Sequence, residues 1–264
     1  MEVIIQKDTQ AAARLVALMI EKQVRFNPYS ILGLATGRTM EIVYAMLADG
    51  HKVRGTDFSL VRTFNLDEYV GLPAENENSY RSYMNRRLFG KINIDIRNTF
   101  IPNGMAEDLH EECSRYERQI KHVGGIDMQL LGIGQDGHIG FNEPLSALRS
   151  ITRVKALTPE TIQQNGPLFG GFDLVPRRAI TMGVGTILET TRCLMLVTGG
   201  SKANILRKAI EGPISSMVTA SALQLHPHCT VICDEAAAAD LEGGDYYRWI
   251  FMNEPEWEDY RNLC

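Results

Sequence analysis

Apolar residues fall along this chain in two alternating rhythms: short unbroken runs of strand length, and longer stretches in which they recur every three or four positions. The first suits strands buried on both faces, the second helices with one face on a core. The runs predict strands over Val3–Gln6, Ser30–Ala35, Leu60–Asn65, Thr99–Ile101, Ile126–Leu131, Ala179–Met182, Cys193–Thr198 and Thr230–Cys233. The periodic stretches predict helices over Thr9–Phe26, with Asp8 as cap, and over Met40–Asp49, Ala106–His122, Lys202–Glu211 and Glu235–Leu241. This alternation predicts an α/β fold, a Rossmann-like, doubly wound, mostly parallel sheet with helices on both faces. Ligands bind outside the carboxyl ends of the strands in such sheets, so the loops leaving those ends belong together.

Four of these loops carry chemistry. Gly132-Ile-Gly-Gln-Asp-Gly-His-Ile-Gly-Phe-Asn-Glu-Pro144 places Asp136, His138 and Glu143 within eight residues. A carboxylate beside an imidazole fixes its tautomer and raises its basicity, which suits general acid–base work; the alternative is a hydrogen-bonded turn. Gly132-x-Gly134-x-x-Gly137 has the letters of a dinucleotide fingerprint, but no long amphipathic helix follows to meet a pyrophosphate, which argues against a nicotinamide or flavin cofactor. Ala35-Thr36-Gly37-Arg38-Thr39 passes from strand to helix through hydroxyls, a glycine and a cation, the composition of a phosphate site. Thr198-Gly-Gly-Ser-Lys202 repeats that passage with a lysine and lacks P-loop spacing, so the two turns suit one phosphate gripped from two sides. Finally, Thr63-Phe-Asn-Leu-Asp67-Glu68-Tyr69 closes a strand with adjacent carboxylates, either of which serves as a base if a ligand desolvates it, or as a helix cap.

Composition narrows the class. The 264 residues, 44% hydrophobic, suit a single domain spanning 1–264. A net charge of −5 without a Lys/Arg block argues against nucleic-acid and membrane-surface partners. The opening Met1-Glu-Val-Ile-Ile5 lacks a charged leader and no apolar run reaches membrane-spanning length, so the expected location is cytoplasmic. Five scattered cysteines, at 113, 193, 229, 233 and 264, suit reduced thiols. His226-Pro-His228-Cys229 with Cys233 invites a zinc reading, but Thr230–Cys233 reads as a strand, and no metal is expected.

Phe64-Asn-Leu-Asp-Glu-Tyr-Val-Gly-Leu72, Gly134-Gln-Asp-Gly-His-Ile-Gly-Phe-Asn-Glu-Pro144, Thr181-Met-Gly-Val-Gly-Thr-Ile187 and Ser221-Ala-Leu-Gln-Leu-His226 together resemble the glucosamine-6-phosphate deaminases, from about residue 3 to residue 240; 6-phosphogluconolactonases share the general fold and a related loop. The resemblance implies conversion of glucosamine 6-phosphate and water to fructose 6-phosphate and ammonia. It implies that neutral His138 assists ring opening, that Asp136 and Glu143 tune it, and that Asp67 carries the C2 proton to C1. It implies that Thr36, Gly37, Thr39 and Lys202 grip the phosphate, beneath a lid over about 153–182. Arg153 and Lys155 match positions that bind an allosteric sugar phosphate in regulated hexameric members, with a charged strand face as the alternative; a homo-oligomer is compatible with this, but the sequence does not specify the oligomeric state. The chain departs from the pattern where Ile162 and Pro167 replace arginines after Leu157-Thr-Pro-Glu-Thr161, and where Arg38 replaces a glycine, which makes Arg38 a substitute phosphate ligand. The aromatic stretch Tyr246–Trp257 is expected on the core or at a subunit interface. Alternatives are a galactosamine-6-phosphate deaminase, a 6-phosphogluconolactonase, or a sugar-phosphate-binding regulator without catalysis.

Overall fold

The computed structural model describes residues 1–261 and builds a seven-stranded parallel sheet. Its strands are β1 (Glu2–Gln6), β2 (Ile31–Leu34), β3 (Arg62–Asn65), β5 (Thr99–Phe100), β6 (Met128–Leu131), β9 (Cys193–Val197) and β10 (Cys229–Asp234), in the order β1-β10-β9-β6-β2-β3-β5. Strands β4 (Asp67–Tyr69), β7 (Arg153–Ala156) and β8 (Arg178–Thr181) form a separate antiparallel sheet in the order β4-β8-β7. Every residue of β6 and β9 is buried, as central strands covered on both faces require.

The helices follow their local signals, with two instructive exceptions. Helix α1 (Thr9–Phe26) starts where the Asp8 carboxylate accepts the Ala11 amide at 2.8 Å. Helix α2 (Arg38–Arg54) runs through Gly50, where the sequence predicts an end. A Cβ there would lie 2.3 Å from the Glu21 carboxylate of α1, which pairs with Arg54, so this glycine admits a neighbour instead of stopping the helix. Conversely, the predicted helix over Glu235–Leu241 is a series of turns. Asp234 uses its side chain to take the Ala237 amide at 2.8 Å and the Gly199 amide at 3.0 Å, fixing a turn there instead. Four further helices matter below: α3 (Tyr80–Arg87), α4 (Leu109–His122), α5 (Pro159–Phe169) and, after the short α6 (Val184–Leu188), α7 (Ala203–Ile210).

One apolar core fills the space between the parallel sheet and its helices. A second, smaller cluster of Tyr69, Phe141, Leu157, Ile162, Val175 and Ala179 lies between the antiparallel sheet and α5. Residues 153–182 therefore form a unit of their own: two strands, α5, and a core shared with Tyr69 and Phe141. The C-terminal aromatics divide: Trp257 is buried, but Tyr246 and Trp249 stack on each other in the open. Among the described residues no helix is long and apolar enough to cross a membrane. Cys264 lies outside them, and the other four cysteines are free and buried.

Candidate active site

The strand order explains why the loops converge. Strands β9, β6, β2 and β3 are consecutive in the sheet, so the segments after them, carrying Lys202, His138, Thr36–Arg38 and Asp67, leave one edge side by side. The chain runs outward from β2 through β3 to β5, then returns to the other side of β2 as β6. That reversal makes the β2/β6 boundary the switch point where open α/β sheets bind ligands.

Residues 132–144 after β6 are irregular, with short turns, so no helix opens within the glycines. Their geometry serves the imidazole instead. A Cβ on Gly134 would lie 2.5 Å from His138 ring atoms, so the glycine lets the ring rest on the backbone. His138 Nδ1 faces Asp136 Oδ1 at 2.7 Å and Glu143 Oε2 at 3.2 Å. Asp136 also accepts the His138 amide at 3.2 Å, and Glu143 accepts the Thr158 amide at 3.3 Å, which ties the imidazole to the start of α5. Burial alone would lower the His138 pKa, but the two carboxylates outweigh it and raise it to about 9. Burial likewise pushes Asp136 up, yet its bonds to His138 prevail and hold it at about 2.

Asp67 does not end β3 as predicted. The chain breaks at Leu66 and restarts as β4, antiparallel to β8, with Asp67 opposite Thr181. The Thr181 hydroxyl accepts the Phe141 amide at 3.0 Å, and Asn142 donates to the Ile139 and Met182 carbonyls, both at 2.8 Å. The His138 loop and the Asp67 strand are therefore braced by the same two residues, Thr181 and Met182. A Cβ on Gly140 would lie 3.4 Å from Asp67 Oδ2, so the carboxylate reaches the loop itself. Asp67 is 5% exposed, and burial followed by the charge of Glu68 raises its pKa to about 8. Glu68 takes the Tyr69, Tyr80 and Arg81 amides at 2.9, 3.0 and 3.0 Å and so caps α3.

The anion side is simpler. Gly37, at φ +118°, turns the chain into α2, whose N-terminus has no side-chain cap. Tyr83 donates to the Gly37 carbonyl at 2.7 Å and fixes that turn. Thr36 and Thr39 are half-buried beside it, while Arg38 is exposed and makes no hydrogen bond or ion pair among the described residues. Lys202 donates to the Ile133 carbonyl at 2.9 Å, which places its ammonium at the root of the His138 loop; burial lowers its pKa and Asp136 opposes that. Helix α5 contains no cationic residue. Arg153 and Lys155 lie on β7, Arg153 opposite Thr181 in register, with both its terminal nitrogens buried and without a partner among the described residues.

The sequence reading missed Thr181 and Asn142 as braces, because their value depends on a sheet pairing that local pattern does not encode. The residues alone leave Asp67 and Glu68 as alternatives, the family resemblance points to Asp67, and the structure gives the two carboxylates different surroundings. His226 engages both ring nitrogens, Nε2 with the Thr190 carbonyl at 2.7 Å and Nδ1 with the His228 amide at 3.0 Å, so this ring has no nitrogen free for a metal.

The chain is similar to known proteins over most of its length. A glucosamine-6-phosphate deaminase of Hahella chejuensis is 47% identical over 250 residues, covering 95% of each chain. One of Streptomyces coelicolor is 44% identical over 259 residues, covering 98% of this chain and 99% of its own. The solved structure of a monomeric glucosamine-6-phosphate deaminase superposes with a TM-score of 0.89 at 43% identity, covering 91% of this chain and 100% of that one. The 6-phosphogluconolactonase of Trypanosoma brucei, at 17% identity and a TM-score of 0.75, shares the fold. Residues 6–232 match the family of glucosamine-6-phosphate isomerases and 6-phosphogluconolactonases, and the chain belongs to that family.

Proposed function

We propose that this chain is a glucosamine-6-phosphate deaminase, turning glucosamine 6-phosphate and water into fructose 6-phosphate and ammonia without a cofactor. The observation that carries the reading is the pairing of two proton carriers on adjacent loops: the Asp67 carboxyl, free of hydrogen bonds among the described residues, and the His138 imidazole between two carboxylates. The high identity to named deaminases supports the substrate. Drawing every site residue from one chain is consistent with the relative described as monomeric.

The phosphate is held by the α2 N-terminus, Thr36, Gly37, Thr39 and Lys202, with Arg38 adding charge from the loop. The resting state of His138 changes the expected first step. With a pKa near 9 the imidazole is charged at neutral pH, so it first donates a proton to the ring oxygen and then regains one from the C1 hydroxyl as the ring opens. Asp67 in its ionised form removes the C2 proton and returns it to C1. The resulting C2 imine adds water and expels ammonia. A pKa near 8 leaves Asp67 able to work in both directions. Residues 153–182 act as the lid, and Arg153 with Lys155 forms an effector anion site, supported by the guanidinium that lacks a partner.

The test is a coupled ammonia assay over a panel of amino-hexose 6-phosphates and 6-phosphogluconolactone. Ammonia from glucosamine 6-phosphate is the expected result. Preference for the galactosamine epimer would move the substrate, and binding without turnover of any sugar would overturn the enzymatic reading.

A further inference from the structure

We infer that Asp136, His138 and Glu143 form a site for one divalent transition-metal ion of the Zn²⁺ type, and that such an ion switches the enzyme off. The three side chains each offer one donor atom, and these atoms lie within 4.8 Å of one another. A tetrahedral zinc site with bonds of about 2.0–2.1 Å separates its ligands by roughly 3.3–3.4 Å. The His138–Glu143 separation of 3.2 Å nearly matches; the 2.7 Å to Asp136 must open by roughly 0.6 Å, which its partly exposed side chain permits.

An independent observation points to a ligand. His138 Nδ1 has one proton to give and faces Asp136 at 2.7 Å, which leaves the buried Glu143 Oε2, 3.2 Å from the same nitrogen, without a hydrogen bond of its own. The Glu143 side chain is only 3% exposed, so this oxygen has no recourse to solvent. A proton on Nδ1 points along one direction and cannot serve both carboxylates, whereas an ion between the three atoms engages all of them. Charge agrees: once the ion displaces the imidazole proton, two carboxylates and a neutral ring carry −2, which a divalent ion cancels. Lys202 is the opposing cation, acting on Asp136 from the Ile133 side. One nitrogen and two oxygens suit a borderline ion such as Zn²⁺, while Mg²⁺ and Ca²⁺ demand six or more oxygen ligands. Metal on Nδ1 replaces the proton held there and fixes the ring, so the imidazole no longer carries protons.

Binding stands on the geometry alone; only the inhibition rests on the function proposed above. The test titrates the intact chain with Co²⁺, followed by visible absorption, and with Zn²⁺, followed by calorimetry. One ion per chain is expected, with ligand-field bands and no thiolate charge-transfer band. Turnover should fall roughly 10²-fold and return with a chelator. Glu143→Gln and Asp136→Asn should each weaken binding at least about tenfold, with circular dichroism checking that both remain folded. Absence of binding, a thiolate band from the cysteines, or affinity unchanged in both variants overturns the inference. If metal-free protein releases no ammonia from any amino sugar yet binds the ion, the proposed function fails and this site stands; if ammonia is released but no ion binds, the reverse holds.

Discussion

Glu68 accepts three backbone amides, while Asp67 beside it accepts none among the described residues. Their side chains leave opposite faces of β4, as successive strand residues must. One carboxylate therefore meets the first turn of α3, and the other meets Gly140 of the His138 loop. Two carboxylates one position apart are thus given different surroundings by the pleat.

Asp67→Asn keeps the shape of the carboxyl and removes the base. We expect kcat to fall by roughly 10² to 10⁴-fold with KM nearly unchanged, and solvent deuterium to stop entering C1 of the product. Normal turnover with normal labelling would show that another group moves the proton.

Glu68→Gln tests the structural partner. The amide replaces one accepting oxygen with a donor facing backbone N–H groups, which costs about 1–3 kcal/mol per buried group left unsatisfied. The expected outcome is a lower melting temperature with turnover per folded molecule largely retained. A kcat loss comparable to that of Asp67→Asn, at unchanged stability, would place Glu68 in the chemistry.

The pH dependence follows from Asp67 at about 8 and His138 at about 9. Activity in kcat/KM should rise as Asp67 ionises and fall as His138 loses its proton, giving a bell with limbs near those values. Stability carries a separate signature. Folded Asp67 holds its proton more tightly than the unfolded chain, whose Asp titrates near 3.9, so its contribution is full below about pH 4 and is lost as pH rises through 8. Asp67→Asn should therefore gain stability over the parent between pH 5 and 9, by an amount of the order of a few kcal/mol. A melting-temperature difference that stays flat across that range would show that Asp67 is already ionised in the empty site.

Gly134→Ala places a methyl 2.5 Å from the His138 ring. The ring must swing off its two carboxylates, so the expected result is a large kcat loss and a His138 titration moved back toward the ordinary value, read by NMR. Unchanged chemical shifts would mean that the loop yields instead.

What the sequence discloses here depends on how far each signal reaches. The parallel strands are legible because burial on both faces writes an apolar run, and Asp8 marks α1 because a cap acts within one turn. Strands β4 and β7 are not, since Asp67-Glu-Tyr and Arg153-Val-Lys-Ala are polar segments held by pairing to β8. The loop residues Asp136, His138 and Glu143 could be named from composition, but the charge on the imidazole could not, because it depends on how burial weighs against two carboxylates brought within 3.2 Å. Gly50 and Gly134 look like punctuation and prove to be spaces for Glu21 and His138.

Arg38 carries the last prediction. The substrate phosphate is a dianion, and α5 brings it no cation, its residues Pro159–Phe169 being uncharged apart from Glu160. Arg177, in the segment after α5, pairs with Asp173 across 3.3 Å. Lys202 supplies one positive charge from the β9 side, and the α2 N-terminus supplies amides, which leaves a place for a second cation on the β2 side. Arg38 stands in that turn, exposed and free of any ion pair among the described residues, so no folded-state interaction competes for it. Its planar guanidinium can give two donors to phosphate oxygens at once. Such a charged hydrogen bond contributes about 1.5–3 kcal/mol, so Arg38→Gly should raise KM roughly ten- to a hundredfold with little change in kcat. Glycine at the first helical position can loosen α2, and Arg38→Gln separates that effect by keeping a side chain without the charge. A KM unchanged in both variants would show that Lys202 and the helix terminus hold the phosphate unaided.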